Sequence, residues 1–139
     1  MITVLVADDH ALVREAVRDR LAQDPDLDVV AMCTDGDEVL AAARRTSPDV
    51  AILDLTMARV GGLEATSLLR AALPSVRVIV LTAQLDAGTV RTARDLGASG
   101  YLLKDDDPGE LPESVRRVAA GGTAWTGAAR ALLEWHPSP

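Results

Sequence analysis

A chain of 139 residues that is 48 % hydrophobic and 25 % charged holds enough apolar material for one packed domain, and its composition is not that of a disordered segment. Its net charge of −7, from 14 basic and 21 acidic residues, leaves no electrostatic footprint for nucleic acid, so DNA binding by these residues alone is not expected. One cysteine excludes an internal disulfide and a multi-cysteine zinc site, and no apolar run reaches the ~18 residues of a membrane span. No basic stretch precedes Asp8-Asp9, so no signal peptide is expected and a cytoplasmic location is the default.

Along the chain two hydrophobic rhythms alternate. Ile2 to Ala7 is short, β-branched and nearly continuous, like a strand buried on both faces. Leu12, Val13, Ala16, Val17 and Leu21 then recur at helical spacing. Asp28 to Met32 predicts a second strand, with Cys33 a buried thiol after it, and Glu38 to Arg45 a second helix behind an Asp35/Glu38 capping box. Val50 to Leu53 is a third strand, and Leu63 to Leu73 a third helix stopped by Pro74. Val76 to Leu81 and Asp86 to Leu96 form the fourth pair, closed by Gly97. Tyr101-Leu102-Leu103 is a fifth strand, and a helix capped by Asp107-Pro108 runs to Gly121-Gly122. Aromatics are 2 % with no Phe, so Val, Leu, Ile and Ala must build the core. Five strands alternating with five helices predict an α/β domain, doubly wound on a parallel sheet of order 2-1-3-4-5.

In such sheets ligands sit outside the carboxyl ends of the strands. There the first strand presents Asp8-Asp9, the third Asp54, the fourth Thr82, and the fifth leads into Lys104. Neighbouring strands lie ~4.8 Å apart, so these distant residues form one row. Three clustered carboxylates call for a cation, and hard oxygen ligands with few protein donors point to Mg²⁺. Asp54 then remains ionised as a nucleophile for phosphoryl transfer, with Lys104 as point charge and Thr82 as hydroxyl donor. Taken singly, each has a plainer role: Asp8 or Asp9 as a helix cap, Thr82 as a strand residue, Lys104 as a solvated side chain. Yet the chain has thirteen arginines and one lysine, Lys104, which suggests that this position needs the compact ammonium. His10 reads as a local hydrogen-bonding residue and Asp105 to Asp107 as a solvated loop with a helix cap.

The strings Val6-Ala7-Asp8-Asp9-His10, Leu53-Asp54-Leu55, Leu81-Thr82-Ala83 and Gly97 to Asp105 resemble the receiver domain of two-component response regulators, over about residues 2–120. Gly97 to Asp105 and Gly62 to Thr66 are most similar to the NarL/FixJ class, whose members usually continue into a helix-turn-helix DNA-binding domain. The resemblance implies a flavodoxin-like fold, shared with the chemotaxis regulator CheY, and a regulatory phosphoacceptor rather than an enzyme proper. By this match Asp54 accepts phosphate from a sensor histidine kinase. Asp9 and Asp54 bind Mg²⁺ directly, Asp8 does so through water, and the backbone carbonyl of Thr56 completes the set. Thr82 and Lys104 contact the phosphoryl group, and Tyr101 is the aromatic switch. The expected output is dimerisation or control of a transcriptional domain, with DNA reached only through that further domain.

Two stretches depart from the family. Where relatives commonly have Pro and Asp, the loop after Asp54 has Ala58 and Gly61, which predicts a mobile segment over 57–62. The receiver is expected to span 1–121, with 122–139 a linker or tail: Trp125, Ala128, Ala129, Leu132 and Trp135 form one face of a short helix stopped by Pro137-Ser138-Pro139. The chain reads as a receiver excised from a longer regulator, a single-domain regulator being the other reading. Two further classes stand beside the switch. A non-phosphorylated pseudo-receiver scaffold is opposed by the intact acidic set. A Mg²⁺-dependent aspartyl-phosphate phosphatase of haloacid-dehalogenase type is opposed by Thr56 standing where a second Asp is needed as acid/base.

Overall fold

In a computed structural model, which describes residues 1–135, the strand ends that carry the polar row are brought into register at the carboxyl end of a parallel sheet. The elements are β1 (Ile2–Ala7), α1 (Ala11–Ala22), β2 (Leu27–Cys33), α2 (Val39–Thr46), β3 (Val50–Asp54), α3 (Gly62–Ala72), β4 (Arg77–Thr82), α4 (Ala87–Asp95), β5 (Gly100–Leu103), α5 (Leu111–Ala119), β6 (Ala124–Trp125) and α6 (Gly127–Glu134). Short 3-10 turns, Gly36–Glu38 and Pro108–Glu110, lead into α2 and α5. The sheet order is β2-β1-β3-β4-β5-β6. No described helix is long and apolar enough to cross a membrane.

Successive strand side chains point to opposite faces, so a strand buried on both sides reads as an unbroken apolar run. All five residues of β3 are buried. Val4, Val6, Ile52 and Ile79 pack on one face with Val17 and Leu21 of α1 and Val115 and Val118 of α5. Leu5, Leu53, Val80 and Tyr101 pack on the other with residues of α2, α3, α4 and α6, among them Ala43, Leu69, Val90 and Ala129. Branched aliphatics and alanine make up most of both layers, with Tyr101 the one buried aromatic among the described residues.

The expected count of five strands and five helices is corrected to six strands and six α-helices among the described residues. β5 would be an edge strand with unpaired backbone groups. Two residues of the tail cover it: Ala124 N donates to Ser99 O at 2.9 Å and Thr126 N to Tyr101 O at 2.9 Å. Gly100 permits this approach, because a Cβ there would lie 2.8 Å from the Ala124 carbonyl oxygen. A two-residue strand has no period for a sequence to display. The apolar set expected on one helix face is therefore divided. Trp125 belongs to β6, Ala129 is fully buried under α6, and Trp135 follows the helix end with 57 % exposure. Pro137-Ser138-Pro139 lies outside the described residues.

The start of α2 also differs from the expected box. Glu38 accepts from Thr34 N and Oγ1 at 3.2 and 2.6 Å, not from the N–H of Asp35. The Asp35 carboxylate accepts from Asp37 N at 3.3 Å and, across the fold, from Arg59 N and Val60 N, both at 2.8 Å. With Gly36 N donating to Val60 O at 3.1 Å, these bonds anchor the middle of the 57–62 loop, and Met57 is buried. The loop expected to be loose from its glycines is thus held by a side chain more than twenty residues away.

Candidate functional site

Register assembles the site. Ala7 pairs with Leu53, Asp54 with Leu81, and Thr82 with Leu103, so the residues just beyond these pairs meet at one end of the sheet. Asp8, Asp54 and Thr82 are buried there, with 2 %, 4 % and 2 % exposure, while Asp9 is exposed and Lys104 half-buried. The Lys104 ammonium lies 2.9 Å from Asp8 Oδ2 and 3.3 Å from Asp54 Oδ1. Its backbone N donates to Thr82 O at 2.8 Å, which ties the β5 end to the β4 end.

The local chain is shaped to leave Asp54 in this position. Gly62 opens α3 directly against the strand end, and a Cβ on it would come within 2.3 Å of the Asp54 carbonyl oxygen. Thr66 Oγ1 donates to Gly62 O at 2.6 Å, fixing that first turn. The Thr56 N–H donates to the Asp54 carboxylate. On β1, His10 N donates to Asp8 Oδ1 at 2.9 Å, and Arg14 Nη1 donates to the Asp8 carbonyl at 2.7 Å. His10 Nδ1 stands 3.1 Å from Asp9 Oδ1, with its ring largely exposed.

Burial and the neighbouring Asp8 charge push the Asp54 carboxyl up from the usual range, and Lys104 opposes them. Burial alone would lower the Lys104 ammonium, but the Asp8 and Asp54 carboxylates hold it above its ordinary value. The result is a charged lysine set between two buried carboxylates. Donor atoms of Asp8, Asp9, His10 and Asp54 lie within 4.8 Å of one another. Three carboxylates converging on one point form a hard-oxygen donor set that fits Mg²⁺.

Tyr101 is fully buried, and its hydroxyl donates to the Gln84 carbonyl at 2.7 Å. Burial and the Asp86 charge push its pKa up, so it stays a neutral donor. Gln84 N in turn donates to Thr82 Oγ1 at 3.1 Å. Gln84 therefore makes the connection through both ends of its backbone, N–H and carbonyl. Arg14 and Asp35 were not anticipated as supports: both act on backbone groups, which leave no residue-type signal at the partner position. Beside Lys104, an apolar cavity of about 320 Å³ opens between α1 and α5, with Leu12, Ala16, Leu102 and Leu111 on its walls.

The chain is similar to known proteins. The family model for the response regulator receiver domain matches residues 4–116. The transcriptional regulatory protein DegU of Brevibacillus brevis is 41 % identical over 121 residues, covering 87 % of this chain and 51 % of the relative. The nitrate/nitrite response regulator protein NarP of Escherichia coli strain K12 is 39 % identical over 123 residues, covering 88 % and 57 %. The chain thus spans little more than half the length of these relatives. Among solved structures, a LuxR-family two-component response regulator from Aurantimonas sp. SI85-9A1 aligns with a TM-score of 0.90 at 32 % identity, over 94 % of both chains. The isolated REC domain of RcsB from Salmonella enterica serovar Typhimurium, solved with the phosphomimetic BeF3-, aligns with a TM-score of 0.86 at 26 % identity, over 96 % of this chain and 99 % of that one. Fold, match and relatives agree, and the chain belongs to the response regulator receiver domain family.

Proposed function

We propose that the domain is a phosphorylation-dependent signalling switch in which Asp54 accepts a phosphoryl group from a sensor histidine kinase. The observation that carries this reading is the buried Asp54 carboxylate, set 3.3 Å from the Lys104 ammonium at the meeting point of four strand ends. An Asp54 carboxylate oxygen attacks phosphorus as the P–N bond to the donor histidine breaks, and the leaving imidazole takes a proton from solvent. Lys104 holds a fixed positive charge where an equatorial phosphoryl oxygen arrives, and Thr82 turns its hydroxyl proton toward another. Asp8, Asp9, Asp54 and the Thr56 carbonyl would hold Mg²⁺, which when bound offsets charge on the carboxylates and the phosphoryl oxygens.

The transferred group adds nearly two negative charges and three acceptor oxygens. Thr82, Gln84 and Tyr101 form a connected path from that point into the β4–α4 loop. The output we assign is dimerisation or control of a helix-turn-helix domain carried beyond this chain, since the relatives are longer and the transcriptional names belong to them. The test is intact mass after incubation with Mg²⁺ and acetyl phosphate. A gain of ~80 Da in wild type that is absent in Asp54→Asn is the expected result. No gain in wild type, together with no response to beryllofluoride, would overturn the reading in favour of a scaffold that is never phosphorylated.

A further inference from the structure

The tail is joined to the site by a closed ring of contacts. Tyr101 has two attachments: its hydroxyl holds the Gln84 carbonyl, and its own carbonyl accepts from Thr126 N at 2.9 Å. Thr126 is the N-cap residue of α6, and Trp125 beside it pairs in register with Tyr101. α6 lies on α4, with Ala129 fully buried and Leu132 and Leu133 packed against the core layer that holds Val90 and Ala93. At its far end, Arg91 of α4 donates from Nη2 to the carbonyls of Leu132 and Trp135, both at 3.5 Å. α6 has no basic residue in its last turn, so Arg91 supplies the charge and donors that a helix C-terminus favours. The ring closes through α4, because its N-cap, Asp86, stands two residues after Gln84.

We propose that α6 is a reversible clamp on α4 whose grip is set by the phosphoacceptor site through Gln84 and Tyr101. The proposal rests on the reading of Asp54 as phosphoacceptor and adds the surface that answers it: α4, with this chain's own segment 124–135 as its partner. A phosphoryl group on Asp54 places new acceptors beside Thr82, whose oxygen now accepts from Gln84 N. As the Thr82 hydroxyl reorients, the Gln84 peptide moves with it or loses that bond. The buried Tyr101 hydroxyl must follow its acceptor, since an unsatisfied buried donor is costly. Both displacements reach the clamp, one through the N-terminus of α4 and one through β6. The Arg91 bonds stand at the outer limit of hydrogen-bond length, so a shift of ~0.5 Å releases them. Phosphorylation therefore loosens α6 from α4.

The experiment is hydrogen exchange on the whole chain with Mg²⁺, with and without acetyl phosphate, the adduct being verified by intact mass in the same samples. The expected result is that amides of 127–134 exchange about fivefold faster or more in the adduct, while those of α2 do not change. In Arg91→Ala, which leaves every site residue in place, exchange of 127–134 is already fast and gains little on phosphorylation. By reciprocity this variant binds beryllofluoride more tightly, by the same factor. An adduct with unchanged or slower exchange of 127–134 overturns the clamp and leaves Asp54 as phosphoacceptor. An Arg91→Ala protein with wild-type exchange there also overturns it. Absence of an adduct overturns both readings.

Discussion

Replacing Asp35 by Ala removes the anchor of the loop that follows β3 and Asp54. Its carboxylate accepts from Arg59 N and Val60 N at 2.8 Å and from Asp37 N at 3.3 Å, serving both as the cap of a 3-10 turn and as a bridge to a distant segment. Hydrogen bonds to a charged acceptor contribute ~1.5–3 kcal/mol each when a buried partner is stranded. Here the loop N–H groups border solvent and recover water, so the three bonds together contribute ~2–3 kcal/mol, near the upper range for lost caps. For a domain of this size that is a fall in Tm of about 6–10 °C. Asp35→Asn keeps one acceptor oxygen and should lose about half as much. The effect depends on pH. Burial opposes ionisation of Asp35, but the N–H donors of Val60, Arg59, Asp37 and Gly36 outweigh it and hold the carboxyl below its ordinary value. A depressed folded pKa gives stability that is complete above the unfolded value of ~3.9 and is lost as pH falls through the folded one. The gap between wild type and Asp35→Ala should therefore be constant from pH 7 to about pH 5 and narrow below about pH 4. Urea unfolding followed by circular dichroism at several pH values measures it. A cost under ~0.5 kcal/mol at pH 7, no larger than an ordinary surface change, would refute the anchoring role.

Two further outcomes follow from the same contacts. Gly62→Ala puts a Cβ 2.3 Å from the Asp54 carbonyl oxygen, with backbone on both sides, so the start of α3 must move away from β3. A loss of ~2–3 kcal/mol is expected by thermal melting, with weaker Mg²⁺ binding by titration, whereas Gly127→Ala, which meets nothing within 4 Å, should be near neutral. Arg116 of α5 binds Asp24 and Asp26 in the α1–β2 connection, and both carboxyls are held below the usual range, chiefly by these hydrogen bonds. Their contribution is present above the unfolded Asp pKa and fades as pH falls through the folded values. Arg116→Ala should accordingly melt below wild type at pH 7 and converge with it toward about pH 3, and a constant difference across that range would contradict the assignment.

Much of the site was legible because its parts lie at strand ends, and strand ends are marked by where apolar runs stop. Asp8 and Lys104 follow a strand, Asp54 and Thr82 end one, and in a parallel doubly wound sheet all the carboxyl ends lie on the same side. The supporting contacts were not legible. Asp35 on the 57–62 loop, Arg14 on the Asp8 carbonyl and Tyr101 on the Gln84 carbonyl are all side chains bonded to peptide groups, and every residue offers the same peptide. The loop shows the consequence: Gly61 and the missing proline widen the conformations open to the isolated segment, yet its folded form is set by a residue from the β2–α2 turn.

The sequence by itself determined the alternation of strands and helices, the branched aliphatic core and the residue types of the polar row, because these follow from short-range period and composition. Tertiary structure alone decided that Ala124–Trp125 joins the sheet, that α6 rests on α4 under Arg91, and that Lys104 lies between Asp8 and Asp54. Each of these depends on a vacant edge, an exposed helix face or a buried charge supplied by segments far apart in the chain. Their free energy exists only once those segments have been brought together.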